Sequence, residues 1–221
     1  YGDLGNASRP TYEWGWMGNI SIDYSSSPKN WDPYDKFALV RSTIWKHVGQ
    51  NAGVFRCPAD TSTVKAGKLG TKPRVRSMSM NAWVGGNGQH GKNTGHYTWF
   101  GTPKDGTMFL SRSDMTAPGP SQTWVLIDER MDSINDGFFV VSMPGYPDLN
   151  TTKWVDMPAS YHNKAAGFSF ADGHAEIHKW LDPRTMPEVV HRYNLGNMNG
   201  LQPNNLDIKW LQDHTTRPFK R

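Results

Sequence analysis

Apolar and polar positions alternate most regularly between His162 and Trp180, in HNKAAGFSFADGHAEIHKW. The pattern predicts a β-hairpin around Asp172-Gly173, a pair that tolerates the positive φ angles of a two-residue turn. That turn sets Phe170 opposite Ala175, Ser169 opposite Glu176 and Phe168 opposite Ile177. Phe168, Phe170, Ala175 and Ile177 then share an inward face, and Ser169, His174, Glu176 and His178 look outward.

Elsewhere the periods are shorter. Phe37, Val40, Ile44 and Val48 recur at three- and four-residue steps, which predicts a helix over 35–49 closed by Gly49. Strands are predicted at 14–22, 54–58, 75–84 with the methionines inward, 123–129, 138–143 and 153–156. TWVLIDE at 123–129 is nearly continuously apolar, as a central strand should be. Residues 107–115 read as strand or one helical turn. Short helices are expected at 187–194 and 206–214, the second docked by Ile208, Leu211 and Trp210. Residues 59–73 and 85–107 read as loops, the second long enough to be a functional segment.

The expected fold class is α+β: an antiparallel sheet with one packed amphipathic helix and long loops. The 221 residues suit a single domain, 1–221, with an aromatic-rich segment at 1–34 and an extended tail at 195–221. Hydrophobic residues make up only 36%, so a core must lean on the 10 tryptophans. The net charge of +4 is spread without a basic run, so no nucleic-acid partner is expected. No apolar stretch is long enough to cross a membrane, so no membrane contact is expected of these residues. The one cysteine, Cys57, excludes an internal disulfide and reads as a small buried residue rather than a nucleophile. Walker, GxSxG, HExxH and paired CxxC motifs are absent from the sequence.

His162, nine intervening residues and Asp172-Gly173 resemble the H-X9-DG signature of prepilin-type processing-associated proteins, which are similar to type II secretion pseudopilins. FRCPAD at 55–60, RSMSMN at 76–81 and IDERMDSINDGFF at 127–139 extend the resemblance over about 38–185. It implies a pseudopilin-like fold and a place in the periplasm, at the cell surface or outside the cell. It also implies a role in filament assembly or partner presentation, with other pseudopilin subunits or secreted proteins as partners. Family members begin with a leader and a long apolar helix. This sequence opens at Tyr1 in a polar region, so an N-terminal membrane helix is expected to be missing from it.

Three chemistries compete. A metal site draws on Asp128, Glu129, Asp132, Asp136, His162, Asp172, His174 and His178. Its oxygen donors, and the resemblance, favour Ca²⁺, while alternating His174 and His178 would suit Zn²⁺. The plainer alternative has the acids capping turns and His162 locking a loop through hydrogen bonds. Polysaccharide binding would use exposed Trp14, Trp16, Trp31, Trp99 and Trp154, unless these rings are core. Catalysis, as a polysaccharide lyase or glycoside hydrolase, would use Tyr161 and His162 with Arg130, or a carboxylate pair drawn from Asp128, Glu129, Asp172 and Glu176.

Overall fold

A computed structural model describes residues 16, 22–35, 39–85, 104–192 and 200–217. Among them the strands are β1 (Thr63–Lys65), β2 (Thr71–Pro73), β3 (Met78–Asn81), β4 (Trp124–Asp128), β5 (Phe138–Phe139), β6 (Lys153–Trp154), β7 (Ala165–Phe170), β8 (Ala175–Lys179) and β9 (Gly200–Leu201). The α-helix α1 spans Leu206–Asp213. The fold is α+β. Its main sheet runs β5-β3-β4-β7-β8, antiparallel except where β5 lies parallel to β3, and β1-β2 and β6-β9 form two small antiparallel sheets.

Each face of the main sheet carries its own core. One gathers Trp83, Trp124, Ile127, Phe139, Phe168 and Phe170 under α1, through Ile208 and Leu211. The other gathers Trp16, Trp45, Phe55, Val75, Ile134 and Phe138. The expected docking of 206–214 is therefore observed. Asn205 caps the helix by accepting from Asp207 N and Ile208 N, and Trp210 meets Phe168 with ring centres 5.2 Å apart.

The hairpin is present, with a different turn. Ser169 pairs with Ala175, Phe168 with Glu176 and Gly167 with Ile177, one residue away from the expected register. The loop holds three residues: Phe170 N donates to His174 O at 2.9 Å, Gly173 N donates to Phe170 O at 3.0 Å, and Gly173 takes φ +102°. Such a loop spends its positive φ on the glycine alone. Phe168 and Phe170 remain buried, but the shift turns Ala175 and Ile177 to the opposite face, where Ile177 is 66% exposed.

Other expectations are corrected. Over 39–49 the described backbone forms two short 3-10 turns, Leu39–Arg41 and Trp45–Val48, rather than a continuous α-helix. Ser42 takes Ile44 N on its own hydroxyl at 3.2 Å, an alternative to the helical ladder. Gly49 still closes the segment at φ +63°. Residues 52–55 are a 3-10 turn, not a strand. In β3, Ser79 and Asn81 are fully buried on one face, while Met78 and Met80 are half-buried and pack, as expected, against the core around Trp16 and Phe55 on the other. The segment 59–73 contains the β1-β2 pair, and 187–190 has no helix. Most of the expected strand at 14–22 and most of the loop at 85–107 lie outside the described residues.

Candidate functional site

Asp128 ends β4 and lies beside Gly167 of β7, because Ile127 pairs with Phe168. Gly167 N donates to Asp128 Oδ2 at 3.1 Å. Cys57 follows the 3-10 turn at Ala52–Phe55, and its backbone N–H donates to Ser77 Oγ at 2.7 Å. His162 lies on the turn before β7, with its N–H donating to Ala165 O at 3.3 Å. These three elements bring His162 Nε2 to 3.2 Å from Cys57 Sγ and 3.1 Å from Asp128 Oδ2. One ligand atom from each lies within 4.8 Å of the others.

Burial is graded across the cluster. Cys57 and Asp128 are each 1% exposed, whereas the His162 side chain keeps 30% of its surface. Burial pushes the Cys57 thiol up, and the nearby Asp128 charge adds to that shift. Burial also raises the Asp128 carboxyl, against the lowering effect of Gly167 N–H and His162. Asp128 Oδ1 is buried with no hydrogen-bond partner.

This is not the geometry of an activated nucleophile. In a Cys–His–Asp relay the thiol meets one ring nitrogen and the carboxylate orients the other. Here both press on Nε2, which can hold one proton or one lone pair but not both. If Nε2 carries the proton, Asp128 Oδ2 is its better acceptor and the Cys57 thiol keeps its own proton. If Nε2 does not, thiol and carboxyl compete to donate to it. Three donor atoms converging on one point fit a cation better than a proton relay.

The remaining expected metal ligands do not join this cluster. Glu129 is fully buried, with Oε2 accepting from Ser79 Oγ at 2.5 Å and Oε1 from Ser133 Oγ at 2.8 Å, and burial pushes its carboxyl up to about 8. Asp132 clamps Arg130, Asp136 accepts from Phe138 N at 2.8 Å, and Asp172 pairs with His174 at 2.6 Å on the exposed turn. His178 stacks on Trp210 with ring centres 3.6 Å apart. These acids cap and clamp; no common oxygen-lined cage forms from them among the described residues.

The catalytic candidates are equally committed. Arg130 donates from Nε and Nη2 to Asp132 at 2.5 and 3.0 Å, and to the carbonyls of Pro187 and Glu188. Tyr161 Oη accepts from Met131 N at 2.7 Å, and burial raises its hydroxyl far above the ordinary phenol range. Glu129 is buried while Glu176 is exposed on the edge strand β8, so they do not face each other across a cleft as a glycosidase pair would. Among the expected sugar-binding rings, Trp16 and Trp154 are core residues and present no face to a ligand. Trp31 is half-buried, its Nε1 donating to Ser26 O at 3.1 Å. Trp14 and Trp99 lie outside the described residues.

Sequence reasoning named His162 and Asp128 but missed Cys57 as their partner. The available signal was FRCPAD, which carries Cys57 and belongs to the same set of resembling stretches as the other two residues. No family model, no curated protein and no solved structure matches the chain.

Proposed function

We propose that this chain is the extracytoplasmic domain of a pseudopilin-like protein, acting in filament assembly or partner presentation without catalysis of its own. One observation carries the reading. Three stretches of the resemblance, far apart in sequence, meet side chain to side chain: Cys57 of FRCPAD, Asp128 of IDERMD and the signature His162. That meeting gives the spaced motif a shared structural purpose. The residues that catalysis would need are tied into the framework instead, Arg130 to Asp132 and Tyr161 to the backbone. The edge strand β8 borders an open groove of about 540 Å³ lined by Val54, Met78, Leu126, Gly167, Ala175 and Ile177, an apolar surface suited to a neighbouring subunit.

Two measurements test this. Surface filaments sheared from cells of the source organism should contain the protein together with envelope material; recovery only with cytosolic markers overturns the proposal. Incubation with neutral and acidic polysaccharides should release neither reducing ends nor unsaturated uronides. Product from any of them replaces the non-enzymatic reading with a carbohydrate-active one.

A further inference from the structure

We infer that Cys57, Asp128 and His162 form a binding site for a thiophilic divalent cation, Zn²⁺ being the best fit. This inference is independent of the proposed function. It adds a sulfur ligand that the oxygen-rich Ca²⁺ expectation lacked.

Geometry supports it first. Ligand atoms around tetrahedral zinc, at bond lengths of about 2.0–2.3 Å, stand roughly 3.5 Å from one another. Two of the three separations, 3.2 Å from His162 Nε2 to Cys57 Sγ and 3.1 Å from His162 Nε2 to Asp128 Oδ2, need an adjustment of only a few tenths of an ångström, and the third, from Cys57 to Asp128, is within 4.8 Å. A sulfur, an imidazole nitrogen and a carboxylate oxygen form a donor set that zinc accepts and Ca²⁺ does not.

The hydrogen-bond arithmetic supports it independently. His162 Nε2 faces a thiol at 3.2 Å and a carboxylate oxygen at 3.1 Å, and it can make one straight hydrogen bond, to only one of them at a time. Asp128 Oδ1 is left buried without a partner, an expensive state for a carboxylate oxygen. A cation at the point of convergence takes a lone pair from all three ligands at once. A thiolate and a carboxylate cancel its two positive charges, so the loaded cluster is neutral, as its burial requires.

The surroundings resemble an outer shell. Gly167 N–H donates to the ligating carboxylate oxygen, and Ala59 N–H approaches Cys57 Sγ at 3.4 Å. Solvent reaches the cluster on the His162 side, where the side chain is 30% exposed. A water can complete the coordination there.

The test uses the reduced, metal-free protein titrated with Zn²⁺ by calorimetry and with Co²⁺ by absorbance. Expected are one equivalent bound, a Co²⁺ spectrum with thiolate charge-transfer and tetrahedral bands, and a higher Tm with Zn²⁺. Cys57→Ser should abolish the charge-transfer band, and Cys57→Ser or His162→Gln should weaken Zn²⁺ binding at least tenfold. His162 is partly exposed, so His162→Gln keeps the test decisive if the buried cysteine variant fails to fold. No uptake of Zn²⁺ or Co²⁺, unchanged affinity in His162→Gln, or binding of Ca²⁺ in preference to Zn²⁺ would each overturn the inference.

Discussion

Gly167 and Asp128 touch across β7 and β4 with no room to spare: a Cβ built on Gly167 would stand 3.1 Å from Asp128 Oδ2, the oxygen that accepts the Gly167 N–H. The glycine is required by this close approach, which holds the carboxylate toward His162. Gly167→Ala must displace a buried carboxylate, and overpacking of this kind costs about 1–3 kcal/mol. Chemical denaturation should show that loss. Gly53→Ala is a useful contrast, because its nearest neighbour is the partly exposed Asn51 side chain, also at 3.1 Å, which can swing away.

Asp156 is a second buried carboxylate, and its predicted behaviour concerns pH. It accepts from Val140 N at 2.7 Å, and burial, with Glu129 and Asp136 adding to it, raises its carboxyl well above 3.8. The folded protein therefore holds a proton that the unfolded chain releases near 3.8. Stability from this group is complete below that value and declines as pH rises toward the folded value. Asp156→Asn keeps an acceptor for Val140 N–H and cannot ionise. Its stability relative to wild type should grow by about 1.4 kcal/mol for each pH unit over which folded Asp156 stays protonated. Melting curves from acid to neutral pH should diverge in that direction; parallel curves would show that Asp156 titrates normally.

The Arg130–Asp132 pair should be among the most sensitive points on the surface of this core. Both side chains are at most 1% exposed, and the two-pronged contact also holds the irregular segment beyond Met186, since Val190 N donates to Asp132 Oδ2 at 2.9 Å. Asp132→Ala strands a buried guanidinium, a change that costs about 3–5 kcal/mol. Arg130→Lys loses the fork and should recover only part of the stability, because a single ammonium cannot replace donors to Asp132, Pro187 O and Glu188 O together. Proteolysis near residues 187–190 should accelerate in both variants.

Much of the fold was legible because it rests on local pattern. The run 123–129 is a central strand, the hairpin is where Asp172-Gly173 places it, and α1 follows its cap and apolar period. What escaped was set by tertiary contact. Ser79 and Asn81 are fully buried because Glu129 and the carbonyls of Trp124 and Thr215 take their hydrogen bonds, whereas hydropathy alone points only to the neighbouring methionines, which pack half-buried on the opposite core. Over 39–49 the helical period yields short turns, with Leu39 and Trp45 packed into the core that holds Phe55 and Trp16. The candidate site was half visible. His162 and Asp128 stood out as chemistry-bearing residues, but Cys57 lies 105 residues from His162, and no periodicity encodes such a contact.

Ile177 and Phe168 give the sharpest test of the hairpin itself. A two-residue turn would place both in the core and make either truncation costly. The three-residue turn pairs Phe168 with Glu176 and leaves Ile177 66% exposed beside the open groove. Ile177→Thr keeps β-branching and removes little buried surface, so its effect should stay within about 0.5 kcal/mol. Phe168→Ala removes a ring packed edge-on against Trp124, Trp180 and Trp210 and should cost about 3–5 kcal/mol. Equal losses in the two variants by urea denaturation would restore the two-residue register. The same Ile177→Thr protein should also self-associate less at high concentration if the groove beside β8 serves subunit contact, a difference that sedimentation velocity resolves.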